Sequence, residues 1–249
     1  MARIGIIIGS GLEHWPLNGF APHPVETPYG ASSSAVARVA IGGCEVLALA
    51  RHGVARTIAP HAINYRANLW ALHAAGVRTC IGVNAVGAIA PGFAPGDLAV
   101  PDQLIDYTWG RATTLRTDEA PVAHVEFTEP FAPELRGHLA AAVADCGFEV
   151  RRGVYGVTQG PRLETAAEID RLARDGCAMV GMTAMPEALL ARELGMAYAI
   201  CAGAVNYAAG RGSGGNAIHA EMERYMRVAM TRIAEVIETL VPRLVRAAM

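Results

Sequence analysis

The chain has 249 residues, 52% hydrophobic and 18% charged, and its 21 basic and 23 acidic residues leave a formal charge of −2. That length suits one large α/β domain spanning residues 1–249, and the apolar content supports a sizeable core and argues against disorder. The charges are scattered, with no basic stripe of the kind that a nucleic-acid binder carries. Five cysteines (Cys44, Cys80, Cys146, Cys177 and Cys201) are odd in number and widely spaced, with no CxxC pair. They read as reduced thiols of a cytoplasmic protein and not as a disulfide framework or a zinc site. The N-terminal apolar run, Ile4 to Ile8, is too short for a signal segment or a membrane span, so a soluble chain is expected.

Ile4 to Ile8 has the look of a buried strand entering a tight turn at Gly9-Ser10-Gly11. Cys44 to Ala50 repeats the pattern and ends at Arg51-His52-Gly53. Ile63 to Ala75 carries a helical stripe, and Thr79 to Val83 reads as a strand ending at Asn84-Ala85-Val86-Gly87. Val154 to Val157 runs into Thr158-Gln159-Gly160-Pro161-Arg162, and Thr165 with Glu168 forms the signature of a capping box. Met179 to Gly181 and Tyr198 to Val205 read as strands ending at Met182-Thr183 and at Asn206. Pro186 suits the first turn of a helix over Ala188 to Leu194. Ile218 to about Val245 is a long helix with Met222, Met226, Met230, Ile233 and Ile237 on one face. The pattern is an α/β domain, a mixed central sheet flanked by helices, with a cleft along one sheet edge.

Polar and glycine-rich clusters recur at strand C-termini, where open α/β sheets bind ligands. A dinucleotide site is disfavoured, because His14 stands where the third glycine of GxGxxG would be. There is no HExxH, no Cys/His metal spacing, no P-loop and no GxSxG elbow. Taken together, Ser10, Arg51, His52, a backbone N–H near Ala85 and Thr183 form an oxyanion cradle. Two carboxylates lie near loop ends. For Glu187 a first-turn role opposite the helix dipole suffices, whereas Glu164 follows the turn Gly160-Pro161-Arg162-Leu163 and is expected to face the cleft.

These segments, together with Asn64-Tyr65, Gly181-Met182-Thr183-Ala184-Met185-Pro186-Glu187 and Val205-Asn206, resemble the trimeric purine nucleoside phosphorylases and methylthioadenosine phosphorylases. The matches run in order from residue 9 to residue 219. The resemblance implies a phosphorylase/hydrolase-like fold, a homotrimer, and a pentosyl transfer with inorganic phosphate as co-substrate and no metal or organic cofactor. It places phosphate on Ser10, Arg51, His52, Ala85 and Thr183, ribose on Met182, and the purine among Leu163, Glu164, Asn206 and Ala208. His124 matches the residue that relatives lend to a neighbouring subunit's 5′ pocket, and His219 matches a residue that holds a 5′ hydroxyl.

Relatives that accept adenine nucleosides carry Asp where this chain has Asn206 and Ala208, and a small hydroxyl residue where it has Glu164. Glu164 can accept from the N1–H of a 6-oxopurine, and Asn206 can both accept at N7 and donate to O6. The expected reaction is phosphorolysis of a 6-oxopurine nucleoside to free base and pentose 1-phosphate, in purine salvage. Within the family the chain most resembles bacterial methylthioinosine phosphorylases, so methylthioinosine stands first and inosine or guanosine second. A methylthioadenosine phosphorylase, a nucleosidase and a non-catalytic purine-binding module are the other readings.

Overall fold

The computed structural model describes residues 3–11, 24–116, 124–212 and 218–247, with the side chains of the last helix described from residue 222. The chain opens with β1 (Arg3–Ile8), the hairpin β2 (Glu26–Thr27) and β3 (Gly30–Ala31), β4 (Ala37–Ile41) and β5 (Cys44–Ala50). It continues through α1 (Tyr65–Ala74), β6 (Val77–Ala88), β7 (Leu98–Ala99), β8 (Gln103–Asp106) and α2 (Pro133–Asp145). The last third holds β9 (Val150–Arg151), β10 (Val154–Val157), α3 (Ala166–Arg174), β11 (Cys177–Gly181), α4 (Ala184–Glu193), β12 (Ala197–Tyr207) and α5 (Ile218–Ala247).

All strands except the small hairpin join one mixed sheet, ordered β4-β5-β1-β6-β11-β10-β8, with β12 also on β6. Its strands read as continuous apolar runs because both faces are covered. On β1, Ile4, Ile6 and Ile8 pack with Met230, Ile233 and Ile237 of α5 and Leu139 of α2. Ile7 points the other way, into a cluster with Leu69 and Leu72 of α1 and Ala188 and Leu190 of α4.

β6 departs from the expected turn after Val83. It runs on through Asn84 to Gly87, held extended by β12, with Ala202 opposite Asn84, Gly203 opposite Ala85 and Ala204 opposite Val86. Because β12 occupies one edge of β6 throughout, β1 and β11 must share the other. β1 covers that edge up to Val83, and β11 returns antiparallel to it only at Gly87 and Ala88. Asn84, Ala85 and Val86 therefore border a gap in mid-sheet. The ends of β1, β5 and β11 converge on this gap, so the cleft lies over the middle of the sheet and not along its edge.

The sequence reading does not contain the short strands β2, β3, β7, β8 and β9, nor two longer elements, β4 and α2. β4 alternates buried and exposed residues, as a one-sided strand does, and so lacks a continuous apolar run. α2 carries Pro133 in its first turn and buries Leu135, Leu139, Ala142 and Val143 at helical spacing, a usable signal that was passed over. At α3 both arms of the Thr165–Glu168 capping box are present. Thr165→Ala removes the cap on Glu168 N, and a urea melt should show a loss of about 1 kcal/mol.

Candidate active site

One cavity lies over the gap in β6. Its walls include Ser10, Arg51, His52, Ala85 and Thr183, and also Leu163, Glu164, Met182, Asn206 and Ala208. The residues expected to hold an anion and those expected to surround a purine thus line the same space. Pro60, Met222 and Met226 complete another part of the wall. The two methionines had been read only as core residues of the last helix.

Arg51 follows directly from β5 and is 1% exposed. Its Nε donates to Glu187 Oε2 at 2.8 Å and its Nη2 to Glu187 Oε1 at 2.7 Å. Nη2 also donates to Asn84 Oδ1 at 3.2 Å, and Nη1 to the Val83 carbonyl at 2.9 Å. Four of the five guanidinium N–H groups are therefore engaged, and one on Nη1 is left for a ligand. Burial by itself would lower the Arg51 pKa, but the ion pair with Glu187 outweighs it and the net shift is upward.

Glu187 corrects the sequence reading. It is fully buried and binds Arg51 through both oxygens, while Tyr198 Oη donates to Oε1 at 2.5 Å. Met185 has extended dihedrals (φ −115°, ψ 140°), so the helix restarts at Pro186 and Glu187 does lie in a first turn. That position is not sufficient to explain the acid, whose carboxylate is engaged by Arg51 and Tyr198. Tyr198 and Tyr155 are both pushed up by burial, Tyr155 to about 12, so both hydroxyls stay protonated as donors or acceptors.

The network continues to the cavity. With Oδ1 taken by Arg51, Asn84 presents Nδ2, which donates to Thr183 Oγ1 at 3.0 Å. The Thr183 hydroxyl is thereby left its own proton to donate. Ala85 supplies a second donor from the backbone. Val83 turns its carbonyl to the β1 side, where Gly9 N also bonds it at 3.2 Å. Ala85, two residues on, points its N–H to the same side, beyond the last β1 pairing at Ile8.

His52 contacts the Ile58 carbonyl through Nδ1 at 2.8 Å. A carbonyl only accepts, so Nδ1 carries the proton and Nε2 remains for a ligand. Burial lowers the His52 pKa, and Arg51 beside it adds to that, against the Ile58 bond. The neutral ring can accept an O–H from a protonated oxyanion.

In the second group, Thr158 Oγ1 donates to Glu164 Oε1 at 2.5 Å, which leaves Oε2 as an acceptor. Asn206 Nδ2 donates to the Tyr207 carbonyl at 2.7 Å, which sets the amide orientation and leaves Oδ1 and one N–H. His124 is exposed and is not among the residues lining this chain's cavity. The His219 side chain lies outside the described residues, although its backbone belongs to α5.

A family model described as the Phosphorylase superfamily matches residues 3–242. The chain belongs to the Phosphorylase superfamily. It is 47% identical over 237 residues to a probable S-methyl-5′-thioinosine phosphorylase of Pseudomonas syringae pv. tomato, covering 94% of this chain and 96% of that one. It is 44% identical over 249 residues to a 6-oxopurine nucleoside phosphorylase of Pyrococcus furiosus, covering 97% and 93%. Among solved structures it is similar to methylthioadenosine phosphorylase from Schistosoma mansoni in complex with adenine. That match has a TM-score of 0.90 and 28% identity and covers 99% of this chain and 92% of that one. A methylthioadenosine phosphorylase from an Antarctic soil metagenomic library superposes with a TM-score of 0.89 at 32% identity, covering 100% and 88%.

For this phosphorylase the sequence motifs contain both Arg51 and Glu187, but not the fact that the two are paired. The signal available was the pairing of a buried-strand arginine with an acid two residues beyond Thr183-Ala184-Met185. Glu187→Gln leaves the Arg51 charge buried without a counter-charge, and the fold should lose roughly 3–5 kcal/mol. Adding Arg51→Met to Glu187→Gln should recover much of that loss, as read by equilibrium denaturation of the three variants.

Proposed function

We propose that this enzyme catalyses the reversible phosphorolysis of a 6-oxopurine nucleoside, most readily S-methyl-5′-thioinosine, to free purine and pentose 1-phosphate. The observation that carries the reading is one cavity holding two polar sets. An anion cradle stands on one wall, and a carboxylate and a carboxamide of fixed orientation stand on another.

Ser10, His52, the Ala85 N–H, the remaining Arg51 N–H and the Thr183 hydroxyl hold phosphate beneath C1′. The C1′–N9 bond breaks through an oxocarbenium-like state, so positive charge grows on the sugar and negative charge on the purine. Bound phosphate stabilises the cation, and one of its oxygens then forms the new bond to C1′ with inversion. Fixing this weak nucleophile in place removes the entropic cost of recruiting it from solution. The electron pair of the broken bond goes to the purine, whose N7 takes up a proton from solvent. Asn206 Oδ1 accepts that N7–H, its remaining N–H donates to O6, and Glu164 Oε2 accepts the N1–H. The hydrogen bond that Asn206 donates to O6 strengthens as negative charge builds on the base, its bond from N7–H holds the proton that neutralises the leaving group, and Glu164 fixes the base through N1–H; these are their catalytic contributions.

The same atoms favour a 6-oxopurine over adenine. Adenine offers a lone pair at N1, which would face the Glu164 carboxylate, and an N–H₂ donor at position 6. Leaving one such polar pair unmatched costs about 1–3 kcal/mol, roughly 5- to 100-fold in specificity. The Pseudomonas and Pyrococcus relatives are named for 6-oxopurine or methylthioinosine substrates, which supports this reading for the present chain. Met182, Met222, Met226 and Pro60 give the cavity an apolar flank suited to a methylthio group. The exposed His124 is available to a neighbouring copy, in keeping with a homotrimer acting in the cytoplasm.

Incubating the enzyme with methylthioinosine, inosine, guanosine and methylthioadenosine, each with and without phosphate, tests the proposal. Base and pentose 1-phosphate should form only with phosphate, and methylthioinosine should have the highest kcat/KM. Free pentose released at an undiminished rate without phosphate would make this a nucleosidase, and preferred cleavage of methylthioadenosine would refute the base assignment. Asn206→Asp combined with Glu164→Ser should move the preference toward adenine nucleosides.

The flank gives a separate expectation. Met226→Ala should lower kcat/KM for methylthioinosine by about tenfold, from lost apolar contact of roughly 1.5 kcal/mol, and change inosine much less. Equal losses for the two substrates would place the 5′ group elsewhere.

A further inference from the structure

Arg111 was given no role by the sequence, yet its side chain touches three of the segments that wall the cavity. It lies on the segment after β8 and is partly buried. Its Nη1 donates to the Met182 carbonyl at 2.8 Å and to the Met185 carbonyl at 2.6 Å. Its Nη2 donates to the Gln159 carbonyl at 2.9 Å and more weakly to that of Thr158 at 3.4 Å, and its Nε to Gln159 Oε1 at 3.2 Å. The guanidinium also lies 5.6 Å from the Tyr65 ring centroid, with Nη1 3.3 Å from Tyr65 Oη. That hydroxyl donates to the carbonyl of Pro60, a cavity residue, at 2.9 Å.

These contacts follow a pattern. Thr158 and Gln159 begin the segment that carries Leu163 and Glu164. Met182 and Met185 flank Thr183. No carboxylate among the described residues lies within ion-pair distance of Arg111, and most of its donors go to backbone carbonyls, with Nε on the Gln159 side chain. The loops are held by their main chains, and the side chains that face the cavity stay free. Neither loop is paired to the other by a strand ladder beyond Val157 and Gly181, where β10 and β11 end. The planar fork of an arginine can reach two loops at once, whereas a lysine ammonium is a single point of attachment.

We infer that Arg111 is a positioning residue that keeps the base-binding loop and the phosphate-binding loop in register across the cavity. This rests on the phosphorolysis reading, in which Glu164 holds the base and Thr183 the phosphate that must meet at C1′. With Arg111 replaced, each loop keeps its own ligand groups but their mutual placement is lost. A misplacement of about 1 Å between reacting groups costs on the order of 100-fold in rate. The loss should appear in kcat, with smaller changes in the binding of either ligand alone.

The test uses Arg111→Lys and Arg111→Ala in the full chain. For each, kcat and the phosphate KM are measured with the nucleoside that the wild type cleaves best. Hypoxanthine affinity and the melting temperature are measured alongside. Arg111→Lys should remain folded, with kcat at least tenfold lower and with phosphate KM and hypoxanthine affinity each changed less than about threefold. Millimolar guanidinium ion should restore part of the kcat of Arg111→Ala and none of that of the wild type. A kcat for Arg111→Lys within threefold of wild type, measured well below its melting temperature, overturns the inference. A wild type that cleaves no nucleoside with phosphate would instead overturn the functional reading itself.

Discussion

The buried ion pair between Arg51 and Glu187 is the constraint around which the site is built. Taking two charges out of water costs several kcal/mol each, and mutual attraction alone does not reliably offset it. Here both charges also make further hydrogen bonds, from Tyr198 to the acid and from the arginine to Val83 O and Asn84. The backbone makes room for these groups. A Cβ on Gly9 would lie 2.5 Å from Arg51 Nη1, and one on Gly82 would lie 2.3 Å from Tyr198 Oη. The glycine that opens Gly9-Ser10-Gly11 is therefore needed for close approach of a guanidinium, in addition to any turn that follows it.

Pairing with Glu187 also changes what Arg51 offers an anion. Its charge is balanced from below, so in the proposed reaction phosphate would meet a set of oriented N–H and O–H donors and not a bare cation. Asn84 relays the arrangement, since the arginine fixes which end of its amide faces Thr183. Donors held in place before the ligand arrives need no reorganisation during reaction.

The split edge of β6 gives this network its place. Because β1 stops at Val83 and β11 joins only at Gly87, three residues of a central strand face a ligand and not a neighbouring strand. The groups proposed to recognise the base are oriented on the far side by equally local means. Thr158 directs one oxygen of Glu164, and the Tyr207 carbonyl orients Asn206. The sheet carries Ala85 and Asn206, while the loops after β10 and β11, which carry Glu164 and Thr183, are fastened through Arg111. Each proposed ligand set thus combines a strand-borne group with one on a clamped loop.

By itself the sequence determined the six long apolar strands, several helices and the set of polar residues at strand ends. Those signals are local: apolar runs, the Thr165–Glu168 capping box, and glycine-rich segments next to Arg51-His52 and Met182-Thr183. Motif resemblance drew Ser10, Arg51, His52, Ala85, Thr183, Glu164 and Asn206 together before any contact was known, and all of them line one cavity. The tertiary structure alone decided how they are supported. Asn84 to Gly87 resembled a turn because of their composition, yet pairing with β12 keeps them in a strand. Glu187 satisfied a helix N-terminus on paper, but its partner lies 136 residues earlier in the chain. Arg111 sits in a segment without periodicity or motif, and its partners are carbonyl groups, which every residue possesses. A contact to a backbone carbonyl leaves no mark on the partner's side-chain type, so only the folded chain could reveal it.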